Sequence, residues 1–304
     1  MKKPETLVCD APGFRLDRFL ALRRPELSRG HWRQLIDNGA VTVDGTPRPA
    51  DYELKDGQRV AVVHPETGWS QQQDFDSWLI HEDKDLLVLD KPAGLLMHPL
   101  GDSWLRRPEA ALAEREPNLA GILQKARPAL GKVYRCGIVH RLDRQTSGVL
   151  LVAKNERAQE ELLSAFKERR VKKVYRALVR GVPAQKATRV QAPIGRKPGH
   201  RKVVVTPFGK SAETDFSVVE TGGAAAIIEA RPLTGRTHQI RAHLSLIGHP
   251  VAGDVEFDAV SPKPARMLLH AFKIDFTHPG TGKPVSYTAR LPKDFTEFWK
   301  KVKR

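Results

Sequence analysis

From Lys173 to Arg290 the chain is written as a succession of strands, and this limits the available folds more than any other feature. Apolar, β-branched runs stand at Lys173–Val179, Val203–Thr206, Thr214–Glu220, Ala226–Ala230, Met267–Phe276 and Ser286–Arg290. Between them only Thr237–Ile247 has the spacing of a helix. Strands that follow one another without helices pair as antiparallel neighbours, whereas a doubly wound sheet needs a helix after nearly every strand. The expectation is an α+β protein on a largely antiparallel mixed sheet. Upstream, Leu86–Asp90 reads as a strand that ends at the turn Lys91-Pro92-Ala93-Gly94. Residues 107–129 contain helical stretches interrupted by Pro117, and Glu156–Glu168 and Phe295–Val302 read as helices.

A smaller unit precedes this body. One helix begins near Arg15 and closes at Pro25, and a second runs from a Ser28 cap to Asn38-Gly39. Ala40–Val43 is a strand, Asp44-Gly45 supplies a hairpin turn, and Arg59–Val63 forms a second strand after the turn at Asp56-Gly57. The expected division is a small N-terminal α/β domain over residues 1–64, a linker over 65–76 and a larger domain over 77–304. Arg15, Arg18, Arg29 and Arg33 recur on the helical segments of the small unit, where they could contact phosphates.

Charge narrows the partner. The chain has 51 Lys or Arg against 35 Asp or Glu, a net of +16. Between Lys167 and Lys210 there are fourteen lysines or arginines and one acid, Glu168. Such a concentration points to a polyanion. No basic amphipathic helix with an aromatic face accompanies it, so nucleic acid is favoured over a membrane surface. The two cysteines, Cys9 and Cys136, form no disulfide or zinc framework, and no apolar run is long enough to span a bilayer. A cytoplasmic monomer is expected. Neither a phosphate-cradling glycine loop nor a nucleophile elbow is present, which argues against nucleotide hydrolysis and redox chemistry.

The chemistry concentrates in polar, arginine-rich segments. Between the apolar approach Gly137–Val139 and the strand-like run Val149–Ala153 lies His140-Arg141-Leu142-Asp143-Arg144, with one carboxylate between two arginines. Taken alone, Asp143 is either a brace for its loop or a catalytic group. Thr234–Leu244 leads from a glycine into a helix start, a place where free backbone N–H groups favour anions. His238 and His243 are five residues apart and do not share a helix face as paired metal ligands would. An arginine from this helix start is a natural partner for Asp143.

Two resemblances sharpen these readings. Arg15-Leu16-Asp17, Ser28-Arg29, Ile36–Gly45 and Leu54-Lys55-Asp56-Gly57 resemble the alpha-L RNA-binding motif of a small-subunit ribosomal protein and of many RNA-modifying enzymes. The ordered set Lys91-Pro92-Ala93-Gly94, His140–Gly148, Lys173–Ala177, Thr234–Leu244, Gly248–Asp254 and Leu269-His270-Ala271 resembles the RluA-type pseudouridine synthases. That resemblance implies a pseudouridine synthase fold and an isomerase acting on RNA without metal or redox cofactor. It implies Asp143 as nucleophile, Arg236 as its ion-pair partner, and Tyr175 as a residue that stacks on uracil and is suited to take its proton. Contacts to RNA fall to Lys91, His140, Arg141, Arg144, Lys173 and Arg241, together with Arg15, Arg29 and Arg33. Ribosomal RNA is the favoured substrate. The other readings are transfer RNA as substrate, a non-catalytic ribosome-assembly protein, and hydrolysis that releases free base. The chain departs from the family at Phe257, where an aromatic hydroxyl is common, and in a long, charged spacer between Pro99 and Gly137.

Overall fold

The computed structural model describes residues 5–24, 29–37, 39–62, 75–99, 103–106, 111, 116–196 and 202–303. The expected Ser28 cap, Asn38 stop and most of the 65–76 linker lie outside the described residues. The chain divides into two compact units, one of residues 1–74 and 98–131, the other of residues 75–97 and 132–304. Segment 98–131, which contains most of the charged spacer, thus groups with the N-terminal unit.

In the first unit, β1 (Glu5–Val8), β2 (Val41–Val43), β3 (Thr46–Pro47) and β4 (Arg59–Val62) form an antiparallel sheet in the order β1-β4-β2-β3. Asp44 and Gly45 both hold positive φ, 49° and 78°, as a two-residue hairpin of matching twist requires. Helices α1 (Leu16–Arg23) and α2 (Arg29–Asp37) bury Leu16, Phe19, Leu20 and Trp32 in one core with Val41 and Val60. Asp17 lies in the first turn of α1, where the helix dipole favours an acid, and its side chain is fully buried. Arg15 and Arg29 approach its carboxylate at 3.4 and 3.0 Å, and Arg33 at 3.8 Å. One acid therefore gathers three partly exposed guanidinium groups. The unit also holds α3 (Ser103–Arg106) and α4 (Leu119–Ala126), and Asn118 caps α4 by accepting from the Gly121 amide.

The second unit carries β5 (Leu79–Glu82), β6 (Leu86–Lys91), β7 (Ser147–Ala153), β8 (Lys172–Arg180), β9 (Ala187–Gln191), β10 (Ile194–Arg196), β11 (Val203–Val205), β12 (Glu213–Gly222), β13 (Ala225–Pro232), β14 (Leu269–Thr277) and β15 (Pro284–Thr288). Nine of these make one sheet in the order β5-β6-β7-β14-β8-β13-β12-β9, with β15 beside β14, while β10 and β11 form a separate ribbon. Its pairings are antiparallel except for β7 with β14. The α+β expectation therefore holds.

The exception follows from chain order. Helix α5 (Glu156–Lys167), capped by Asn155, carries the chain from β7 to β8, and β14 returns to lie between them. Within β14, Ala271 pairs with Gly148 on one side and Tyr175 on the other. Gly148 has φ +112, and a Cβ there would stand 2.2 Å from the Ala271 carbonyl oxygen, so only glycine permits this approach.

Successive strand residues point to opposite faces. Ala177 and Val179 accordingly pack with Ile240 and Leu244 of α6 (Gln239–Leu246), while Leu178 packs with Phe295 and Trp299 of α7 (Lys293–Val302). Among the described residues no helix is long and apolar enough to cross a membrane.

Candidate active site

The loop that enters β7 is held from several directions. The Thr146 amide donates to the Asp143 carbonyl at 3.0 Å, closing a tight turn. The Gly94 amide donates to the Arg144 carbonyl at 2.7 Å, and Arg144 Nε returns a bond to the Gly94 carbonyl at 3.1 Å. Ser147 Oγ lies 2.9 Å from His270 Nδ1. The Asp143 side chain is left pointing into a cavity of about 1030 Å³, lined also by Tyr175, Lys173, Arg176, Arg236 and His238.

The ion pair to Asp143 comes from Arg241, not from Arg236 as motif similarity implied. Arg241 Nη1 stands 3.6 Å from Asp143 Oδ2. The rest of its guanidinium is fixed by Asp254, through Nε at 2.6 Å and Nη2 at 2.8 Å, and by Glu256 at 2.9 Å. Burial alone would pull the arginine pKa down, but the Asp254 bonds and the charges of Glu256 and Asp143 carry it above its ordinary value. Arg241 is therefore a buried anchor rather than an RNA contact. Arg236 lines the cavity but donates through Nε to the Ser211 carbonyl at 3.0 Å, on the exposed side. The reason is helix phase. Helix α6 begins at Gln239 rather than Thr237, because His238 has φ 55° and ψ 19°, outside the helical region. Arg241 then lies in the first turn, facing inward, and Arg236 precedes the helix.

Buried side chains hold this helix start. Gln239 Oε1 accepts from the Arg236 amide and Thr234 Oγ1, and its Nε2 donates to Thr214 Oγ1. The Thr214 hydroxyl in turn meets His243 Nδ1, whose ring donates through Nε2 to the Ala192 carbonyl. His243 is thus occupied by the fold, whereas His238 faces the cavity with Nε2 4.0 Å from Asp143 Oδ2. His238, Asp254 and Glu256 were not singled out as site residues from the sequence. The Gly253-Asp254 pair within the recognised motif was the available signal.

Tyr175 reaches the cavity from β8, and burial together with the charge of Asp143 pushes its phenol well above its ordinary pKa. Lys173 lines the same wall, and burial lowers its pKa. Arg141 is exposed at the cavity edge, and Arg144 is exposed while bonded to Gly94.

Beside Arg241, two more of the expected RNA contacts are internal supports. Lys91 is fully buried, and its ammonium donates to the carbonyls of Pro92 at 2.8 Å, Leu95 at 3.1 Å and Arg144 at 3.4 Å. Burial lowers its pKa to about 7 against the opposing pull of Asp143. It ties the Lys91–Leu95 turn to the Asp143 loop and has no surface for RNA. His140 accepts the Leu151 amide at Nε2, 2.9 Å away, and stacks on Phe166. Burial and nearby Lys173 lower its pKa to about 3, and burial lowers that of His270 to about 4.

Both histidines make the fold acid-sensitive. Below pH 6.5 the unfolded chain takes up protons that the folded chain refuses, so stability falls with acidification until about pH 4. Each contributes a slope of about 1.4 kcal/mol per pH unit in that window. Urea unfolding measured from pH 7 to pH 4 should show the decline, and His270→Gln should remove one proton's share of it. An unchanged slope in that variant would contradict a neutral buried His270.

Metal-ligating side chains cluster once among the described residues, at His81, Asp83 and His278, none of which lines the cavity. His278 Nδ1 accepts from the amides of Gly280 and Thr281, so Nε2 carries the proton and donates to Asp83 Oδ2 at 2.8 Å. That nitrogen has no lone pair to offer a cation. The cluster is a hydrogen-bonded strut between the β5–β6 turn and the β14–β15 turn.

Comparison with known proteins gives consistent matches. A family profile described as RNA pseudouridylate synthase fits residues 85–246, and an S4 domain profile fits residues 14–60. Ribosomal large subunit pseudouridine synthase D of Nitrosomonas europaea is 37% identical, over 93% of this chain and 82% of that protein. Ribosomal large subunit pseudouridine synthase C of Vibrio vulnificus is 34% identical, over 93% and 90% respectively. The structure of human RNA pseudouridylate synthase domain containing 1 superposes with a TM-score of 0.55 at 30% identity, covering 70% of this chain and 82% of that one.

Proposed function

The chain belongs to the RNA pseudouridine synthase family and is an isomerase, and from that premise we propose that it acts on ribosomal RNA with Asp143 as nucleophile. The observation that carries the proposal is the Asp143 carboxylate, 3.6 Å from buried Arg241 and facing a cavity walled by basic side chains. A carboxylate that attacks the ribose carbon of a uridine splits one hard displacement into two. The N-glycosidic bond breaks, the uracil turns, and the base rejoins the sugar through C5. Arg241 balances the charge of Asp143 and aims its Oδ2. Tyr175 offers a ring on which the uracil can lie while it turns.

Reaching a uridine in folded RNA requires splaying it from its stack. Arg141 at the cavity edge, Lys173 in its wall and exposed Arg144 support this reading as groups suited to the displaced backbone. Arg15, Arg29 and Arg33, gathered on Asp17, supply a second positive surface on the S4 unit, which suits a phosphate backbone. Ribosomal RNA is preferred because relatives that match over nine-tenths of the chain carry large-subunit ribosomal names.

Pseudouridine mapping of total RNA from cells with and without the protein tests this reading. Loss of one or more pseudouridines from large-subunit ribosomal RNA is expected. Loss confined to transfer RNA would overturn the substrate, and an unchanged map would overturn the assignment to ribosomal RNA as well.

A further inference from the structure

His238 stands beside the proposed nucleophile, and none of the roles assigned above uses it. Its position is an unusual one for a β-substituted residue. With φ 55° it occupies the left-handed region, which a non-glycine residue keeps only where the surroundings enforce it. The result is an imidazole on the cavity wall, Nε2 4.0 Å from Asp143 Oδ2 and Nδ1 3.5 Å from Glu256 Oε1. Nδ1 is buried and makes no hydrogen bond, and Glu256 is the closer of the two carboxylates at the ring. A carboxylate behind one ring nitrogen places the proton there and leaves the lone pair of the other free. Here the free nitrogen is Nε2, on the side of the reacting centre.

The charged groups that face the ring are Asp143, Arg241, Glu256 and Asp254. Burial and Arg241 lower the imidazole pKa and the three carboxylates oppose them, with a net fall. The ring is therefore neutral and able to accept a proton at neutral pH. Tyr175, by contrast, holds its phenolic proton more tightly than usual.

One step of the isomerisation needs a base. Once the uracil has rejoined the ribose through C5, that carbon bears both the sugar and its original hydrogen. C5 is then one bond from the carbon that Asp143 attacked, and Nε2 is the ring nitrogen nearest that carboxylate, 4.0 Å from its Oδ2. We propose that His238 is the base that removes the C5 proton, with Glu256 as the positioning residue behind it. The C5–H bond breaks and its electron pair forms the C5–C6 double bond. The former C6–N1 double-bond pair moves to N1, which takes a proton from water. The imidazolium then returns its proton to water. Nothing is oxidised or reduced, and the enzyme ends as it began.

This assignment rests on Asp143 as nucleophile, so the test separates the two. His238→Asn keeps a residue that tolerates the left-handed backbone but has no basic nitrogen. With large-subunit ribosomal RNA transcripts, its turnover should fall about 10²–10⁴-fold. Deuterium at uridine C5 should slow the variant more than it slows the wild type. Transcripts containing 5-fluorouridine cannot lose fluorine as a cation, so they should stall as an enzyme–RNA adduct, and the variant should form it at the wild-type rate. Normal turnover would overturn the proposal. So would loss of adduct in step with turnover, which would place His238 at cleavage or in the fold. Asp143→Asn, expected to form no adduct, reports separately on the nucleophile.

Discussion

Asp143→Asn should reduce pseudouridine formation to background, a fall on the order of 10⁴-fold or more for a residue that acts as covalent nucleophile. The variant should fold and bind RNA as the wild type does, because the substitution leaves the loop's supports untouched. The turn to Thr146 uses the Asp143 carbonyl, and the Gly94 clamp uses Arg144. Arg241 retains Asp254 and Glu256 as partners. Tritium release from C5-labelled RNA gives the rate, and filter retention gives the binding. Turnover near that of the wild type would remove Asp143 from the role, and RNA binding lost along with activity would make it a brace.

Arg241→Met should be damaging in two ways at once. It takes the cation from a site where Asp254 is 1% exposed and where Glu256 and Asp143 converge. Breaking a buried pair from one side leaves charge uncompensated and costs about 3–5 kcal/mol. Unfolding in urea should show that loss, and the residual folded protein should turn over far more slowly because Asp143 is no longer aimed. Arg236→Ala removes an exposed bond to the Ser211 carbonyl, worth about 1 kcal/mol, and should change the rate much less. If Arg236→Ala proved the more severe for turnover, the motif-based pairing of Arg236 with Asp143 would be restored.

Much of the architecture was legible because it is periodic. Strands β8, β12, β13 and β14 and helix α5 announce themselves by alternation or by helical spacing over many residues, and their order excluded a doubly wound sheet. Strands β1, β5, β9 and β10 did not, since each has only three to five residues and is fixed by its neighbour rather than by its own pattern. The site shows the same division. Asp143, Tyr175 and the basic wall could be read from residue type and motif order. The exchange of roles between Arg236 and Arg241 could not, because it depends on a helix start displaced by one left-handed residue. Lys91 misled for a related reason. A lysine in a Lys-Pro turn looks like a surface charge, and only the enclosure of its ammonium by carbonyls from two separate segments shows that it is internal.

The insertion of β14 between β7 and β8 also makes the cavity depend on a distant part of the chain. Ser147 and His270, bonded side chain to side chain, are 123 residues apart in the chain, and Ala271 alone brings Gly148 and Tyr175 into common register. Contacts of such sequence separation carry a loop-closure cost that local hairpins do not. A chain that stops at β13 already contains the lysines and arginines of residues 167–210, yet it lacks the strand that sets the spacing between Gly148 and Tyr175. The last quarter of the polypeptide thus completes the spacing of side chains that the first three quarters already contain.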